Sequence, residues 1–307
     1  MIEIKNLTKT IAGNKILDDV NFSVQKGEIL GFLGPNGAGK TTTMKIITSF
    51  WSPSSGSVTI DGLDSENDSL AVRQKIGYLP EMVPLYEDMK VREYLKFAGE
   101  MRGLAKKELA DRISYVIEAC SLEKVLEKTI DELSKGYRQR VGLAQAIIGS
   151  PEVLILDEPT TGLDPNQIAE IRELIKKIGQ EKTVIFSTHI LAEAAAVCDR
   201  VIIINRGKIV GEGSPAELAK KAGAKEIIYL KTDGPKENVL EVLQKIIGVI
   251  RAEVKDQSGD GVGYEIESDG ADLRSAITQV VVANNWNILE ISKSKANLED
   301  VFRELTK

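Results

Sequence analysis

With 307 residues, 42% of them apolar and 28% charged, the chain is long enough for one large or two ordinary domains with ample core. A formal net charge of −6 supplies no general attraction to phosphate backbones, which sets nucleic acid aside as an expected partner. Cys120 and Cys198 lie too far apart for a Cys-x-x-Cys motif, arguing against a disulfide framework or zinc site and for buried thiols in a reducing compartment.

The first residues, "MIEIKNLTKT", show no basic-then-apolar leader, and no apolar run approaches the roughly 18 residues of a membrane span. A cytosolic location is expected, with any span supplied by another chain. "MIEIKN" and "VNFSV" alternate as half-buried strands, and "GEILGFLG" reads as a strand buried on both faces. "KTTTMKIITSF" carries apolar residues at helical spacing, and "GSVTIDG" returns to strand. Between about residues 85 and 150 the pattern turns helical: "VREYLKFAGEMRGL", "KELADRISYVIEACSL" and "YRQRVGLAQAIIGS" each carry an apolar stripe. Strands resume in "EVLILDE", "TVIFSTH" and "RVIIINRGKIV", with the helix "QIAEIRELIKKIGQ" among them. This alternation predicts an α/β core with a largely parallel sheet, interrupted by a helical insertion.

"GEGSPAELAKKAGAKE" reads as a last helix and a junction, after which the sequence starts afresh. "EIIYLKT", "KENVLEVLQKII", "GVIRAEV", "GVGYEIES", "ADLRSAITQVVVANN" and "NILEISK" give strand, helix, strand, strand, helix, strand, and "ANLEDVFRELTK" adds a helix. That order suits a small α+β domain of ferredoxin-like type. The expected division is a first domain over residues 1–222 and an accessory domain over 223–307, the latter without a cluster of catalytic residues.

The chemistry starts at "GPNGAGKTT", residues 34–42, which follows a buried strand and opens a helix. In that context the G-x-x-x-x-G-K-[ST] pattern is a phosphate-binding loop. Gly34, Gly37 and Gly39, with Pro35, Asn36 and Ala38 between them, let backbone N–H groups curl toward phosphate oxygens. The helix dipole adds attraction at Thr41 and Thr42. Lys40 would neutralise the β- and γ-phosphates, and the Thr41 hydroxyl would ligate Mg²⁺. The competing interpretation is a glycine-rich turn that merely caps a helix.

A second stretch completes this one. "EVLILDE" ends its apolar strand on two adjacent carboxylates, which a magnesium ion and a triphosphate make sensible. Asp157 is placed to hold Mg²⁺, directly or through water. Glu158 is placed to face the attacking water, as general base or by polarising it.

These motifs, with "LSKGY" at residues 133–137, make the chain resemble an ATP-binding-cassette ATPase, the nucleotide-binding subunit of an ABC transporter, over roughly residues 1–220. "LSKGY" is similar to the family signature LSGGQ. The resemblance implies that two subunits sandwich two ATP molecules, as a homodimer or with a related cassette. Ser134 and Gly136 of one subunit would then cap the γ-phosphate held by the other. It also implies that Asp164 in "GLDP" crosses to the partner and that His189, the one histidine, contacts the γ-phosphate and orients water.

Three positions depart from the family pattern. Glu81 in "IGYLPE" stands where the family has glutamine, and would reach Mg²⁺ or its water as a carboxylate. The signature carries Lys135 for glycine and Tyr137 for glutamine. The aromatic that stacks on adenine falls near Ile11, where there is no ring, unless another such as Phe22 covers the base.

"IGYLPEMVPLYEDMKVREYLKF" and "ANLEDVFRELTK" resemble ATPase subunits of bacterial drug-exporter and gliding-motility types, which work with a separately encoded transmembrane permease. The expected activity is ATP hydrolysis driving an exporter from the inner face of the cell membrane. The alternative is a soluble non-transport ABC ATPase acting on a ribosome or DNA. Such proteins carry two cassettes or a long coiled-coil insertion, and neither is seen here. A P-loop kinase is disfavoured by the signature.

Overall fold

The computed structural model describes residues 1–221, 226–258, 261–269 and 272–294. Two compact units divide after Pro215.

The first unit begins with an antiparallel pair, β1 (Ile2–Ile11) and β2 (Asn14–Val24). They are joined through Ala12 and Gly13, both at positive φ (48° and 82°), the backbone form of a tight hairpin turn. β3 (Ile29–Leu33) leads through residues 34–39 into α1 (Lys40–Ile47). β4 (Ser55–Ile60), β5 (Leu63–Asp64), α2 (Ser69–Lys75) and β6 (Ile76–Leu79) follow. Three helices come next: α3 (Val91–Met101), α4 (Lys106–Cys120) and α5 (Lys135–Ile147). The chain then returns through β7 (Val153–Asp157), α6 (Pro165–Gly179), β8 (Thr183–Thr188), α7 (Leu191–Val197), β9 (Arg200–Asn205) and β10 (Lys208–Gly213). α8 (Pro215–Lys221) starts at the division.

Two sheets organise this unit. A six-stranded sheet has the order β10-β9-β3-β8-β7-β6, parallel except for β10. Every residue of β3, β7 and β8 is buried, as strands covered on both faces require. A four-stranded antiparallel sheet, β2-β1-β4-β5, shares one core with it: Ile4, Val20 and Val58 cluster with Met44 and Ile47 of α1 and with Ile155, Ile185 and Ile202. Phe22 is buried there against Phe32, ring centroids 5.4 Å apart, so its ring serves the core and is not offered to a base.

The three-helix insertion packs back on the sheet through α5, which approaches β6 so closely that only glycine fits at Gly77. Both cysteines are buried; burial pushes the Cys120 thiol up to about 12 and raises that of Cys198 as well. Sequence periodicity did not mark α2, β6 or α7, each only four to seven residues long. Among the described residues no helix is long and apolar enough to cross a membrane.

The second unit carries β11 (Glu226–Thr232), α9 (Lys236–Gln244), β12 (Val249–Ser258), β13 (Gly261–Ser268), α10 (Arg274–Ala283) and β14 (Ile288–Ser294). Its sheet is antiparallel throughout, in the order β12-β13-β11-β14. Ile228, Leu230, Tyr264 and Ile266 of the strands pack with Val239, Leu243, Ile277 and Val281 of the helices. The helix expected over "ANLEDVFRELTK" lies outside the described residues.

Candidate active site

The loop between β3 and α1 owes its path to its glycines. Gly39 has φ 110° and Gly37 φ 80°, conformations open to glycine and strained for other residues. A Cβ at Gly34 would meet the Ile204 carbonyl oxygen at 2.5 Å, whereas one at Gly37 would have nothing within 4 Å. The loop is thus tight against the core on one side and open on the other. Ala38 faces the core. Lys40, 5% exposed, is bent back on the loop: its ammonium donates to the carbonyls of Gly34 (2.7 Å) and Pro35 (3.2 Å).

Asn36, Gly37, Gly39, Lys40, Thr41 and Thr42 line a cleft of about 270 Å³ together with Glu81, Glu158, Thr161 and His189. Parallel pairing of β7 with β8 brings the far ends of those strands to it, since Asp157 stands beside Ser187 in the register. Asp157 is fully buried; the Ser187 hydroxyl donates to its Oδ1 at 2.6 Å, while Oδ2 has no hydrogen-bond partner. Burial pushes the Asp157 carboxyl above its usual range; the Ser187 and Thr41 hydroxyls oppose this, and the charges of Glu158 and Glu81 add to it.

Glu158 turns the chain out of β7 at φ 49°, an unfavourable conformation for a non-glycine residue, costing about 1–3 kcal/mol. Two bonds hold it: its N–H donates to the Ser187 hydroxyl at 2.9 Å and lies 3.2 Å from the Ser187 carbonyl oxygen. The carboxylate sits between two nitrogens. Oε1 is 3.1 Å from Lys40 Nζ, and Oε2 is 2.8 Å from His189 Nδ1 and accepts from the Thr161 hydroxyl at 3.2 Å. Opposite a carboxylate, a proton belongs on His189 Nδ1.

Other singled-out residues lie elsewhere. Ser134 caps α5, accepting from the Tyr137 N–H, and with Gly136 lines a separate groove of about 690 Å³. Asp164 caps α6, accepting from the Gln167 N–H at 2.9 Å. Ile11 is at the β1–β2 hairpin, 39% exposed, and does not line the cleft. Ser187 and Thr161 were not singled out from the sequence. The available signal was the hydroxyl residues flanking the two charged motifs, in "FSTH" and "DEPTT".

The fold and cleft are those of a nucleotide-binding cassette, and comparison with known proteins gives the family. An ABC transporter family profile matches residues 17–161. The chain is 32% identical over 310 residues to the linearmycin resistance ATP-binding protein LnrL of Bacillus subtilis (strain 168), covering 100% of this chain and 98% of that protein. It is 33% identical over 314 residues to the bacitracin transport ATP-binding protein BcrA of Bacillus licheniformis, covering 99% and 97%. The dimeric, post-hydrolysis structure of the ATP-binding cassette MJ0796, bound to ADP and Pi, matches with a TM-score of 0.64 and 28% identity over 70% of this chain and 98% of that one. The chain belongs to the ABC transporter ATP-binding subunits, and its activity is that of an ATPase.

Proposed function

We propose that this ATPase powers an exporter, closing as a dimer on ATP and transmitting that closure to a separately encoded transmembrane permease at the inner face of the membrane. The observation that carries the exporter reading is the similarity to a resistance protein and a bacitracin transport protein over 99–100% of the chain. Dimerisation is supported by the dimeric MJ0796 cassette and by the site itself. Ser134 and Gly136 line a groove that shares no residue with the Lys40 cleft, which supports their reaching a γ-phosphate from a second subunit. Asp164, exposed at the head of α6, is assigned to the same interface.

In the hydrolytic step Lys40 exchanges Glu158 for the β- and γ-phosphates, with the loop N–H groups as further donors. Glu158, freed on that side, takes a proton from the attacking water or polarises it. His189 donates to the other carboxylate oxygen through Nδ1; its Nε2 accepts from the attacking water when the ring is neutral and donates to the γ-phosphate when the ring is protonated. The residues present also fit Mg²⁺: Asp157 offers a buried carboxylate oxygen without a partner, and Thr41 and Glu81 line the cleft. One or two carboxylates completed by substrate phosphates is the usual magnesium arrangement. Bound there, Mg²⁺ would neutralise charge developing on the phosphates. Ile11 is assigned to the adenine face, with less stacking than a ring would give. Residues 223–307 are assigned to an accessory, non-catalytic domain of ferredoxin-like type.

Purification of the chain from membranes of its native cell tests the exporter reading. We expect a membrane permease to co-purify and to change the ATPase rate severalfold on reconstitution. Recovery with ribosomes or DNA, and no permease, would overturn it.

A further inference from the structure

Glu193 is a buried carboxylate that the hydrolytic assignment leaves unused. It sits in the first turn of the short helix α7, 1% exposed, where its charge is costly without partners. It has three. Oε2 accepts from the Thr160 hydroxyl at 2.7 Å and from the Thr188 hydroxyl at 2.9 Å, and Oε1 lies 3.8 Å from the Arg172 guanidinium on α6. Thr188 Oγ1 also accepts from the Ile190 N–H at 3.0 Å, which aims its own proton at Glu193.

The two threonines are what make this arrangement more than an anchor for α7. Thr160 is two residues beyond Glu158, and Thr188 immediately precedes His189. Glu158 and His189 meet at 2.8 Å, so a ring closes: Glu158 to Thr160 along the chain, Thr160 to Glu193 to Thr188 by hydrogen bonds, then His189 and back to Glu158. Anchoring α7 needs no charge, because Leu191, Ala194 and Val197 already bury its apolar face. A carboxylate held by one hydroxyl from each side does something leucine cannot. It ties together the two segments that carry the reacting pair beyond the last β7–β8 pairing at Asp157 and Ser187. Arg172 extends the tie to α6, whose N-cap is Asp164.

We propose that Glu193 is a positioning residue for ATP hydrolysis, holding Glu158 and His189 in register through Thr160 and Thr188. The proposal rests on the assignment of Glu158 and His189 to the hydrolytic step.

The test measures ATP turnover and ATP affinity of the full chain carrying Glu193→Leu, Glu193→Gln or Thr188→Val. Glu193→Leu is expected to lower kcat at least tenfold and to leave ATP affinity within about twofold. Glu193→Gln, which keeps an acceptor oxygen, should recover part of the rate. In the Glu158→Gln background the same Glu193→Leu change should cost less than about threefold, because the group it positions has lost its function. Should Glu193→Leu fail to fold, Thr188→Val is near-isosteric and is expected to show the same split between kcat and affinity. Unchanged kcat in Glu193→Leu or Thr188→Val, or an equal factor in both backgrounds, overturns the role of Glu193 alone, provided Glu158→Gln and His189→Ala are strongly slowed. Full turnover in Glu158→Gln and His189→Ala would instead overturn the hydrolytic assignment, and this proposal with it.

Discussion

Lys40 and Glu158 neutralise each other at 3.1 Å with each side chain only 6% exposed. Neither charge is well solvated; besides each other, Lys40 has the Gly34 and Pro35 carbonyls, and Glu158 has His189 and Thr161. In the proposed mechanism a triphosphate takes the place of the carboxylate at Lys40, and its arrival releases Glu158 on the side where water is activated. The same pairing gives Lys40→Ala two consequences. Nucleotide affinity should fall at least 100-fold, because a desolvated cation facing phosphate is lost. The nucleotide-free protein should also lose roughly 3–5 kcal/mol of stability, since Glu158 is left buried without the Lys40 cation. Nucleotide titration and urea unfolding of the same sample read both. Normal affinity would contradict the loop assignment, and unchanged stability would contradict the ion pair.

At the scale of elements, the helical insertion meets the core where α5 crosses β6. A Cβ at Gly77 would come within 2.1 Å of the Ala146 carbonyl oxygen, a backbone atom that cannot rotate away. Gly77→Ala should therefore force the strand and helix apart, costing about 1–3 kcal/mol, and occasionally more, in denaturant unfolding. Full stability would show that α5 is free to move off the sheet.

Elements and site were unequally legible in the sequence. β3, β7 and β8 were visible because strands buried on both faces are continuous apolar runs. The phosphate loop and the Asp157–Glu158 pair were visible because their chemistry is set by residues adjacent in the chain. β6 and α7, at four and seven residues, are too short for a period to register. α7 was further hidden by the alanines of "LAEAAAV", which draw no stripe. Thr160, Thr188 and Glu193 were invisible for a different reason. Thr160 and Glu193 are 33 positions apart, and only the pairing of β7 with β8 brings their segments together. The same holds for Ser187, which meets Asp157 across 30 positions.

For the whole molecule, the division after Pro215 leaves every residue of the cleft in the first unit. A chain ended at Lys221 should fold and bind ATP within about threefold of the full chain's affinity, as circular dichroism and nucleotide titration would show. A folded truncation without nucleotide binding would make the second unit part of the site.

In the proposed cycle, hydrolysis at Glu158 opens a sandwich which ATP closes, with Ser134 and Gly136 supplied by the opposite subunit. Lowering the rate at Glu158 without touching the phosphate loop should therefore trap the closed form. Glu158→Gln is expected to turn over ATP about 10²–10⁴-fold more slowly, the usual scale for loss of a general base. The most direct measurement is the mass of this variant in Mg-ATP, by size-exclusion chromatography with light scattering. We expect a monomer without nucleotide and a stable dimer with it. A variant that remains monomeric in saturating Mg-ATP while hydrolysing it at the wild-type rate would contradict both the ATP sandwich and the role of Glu158.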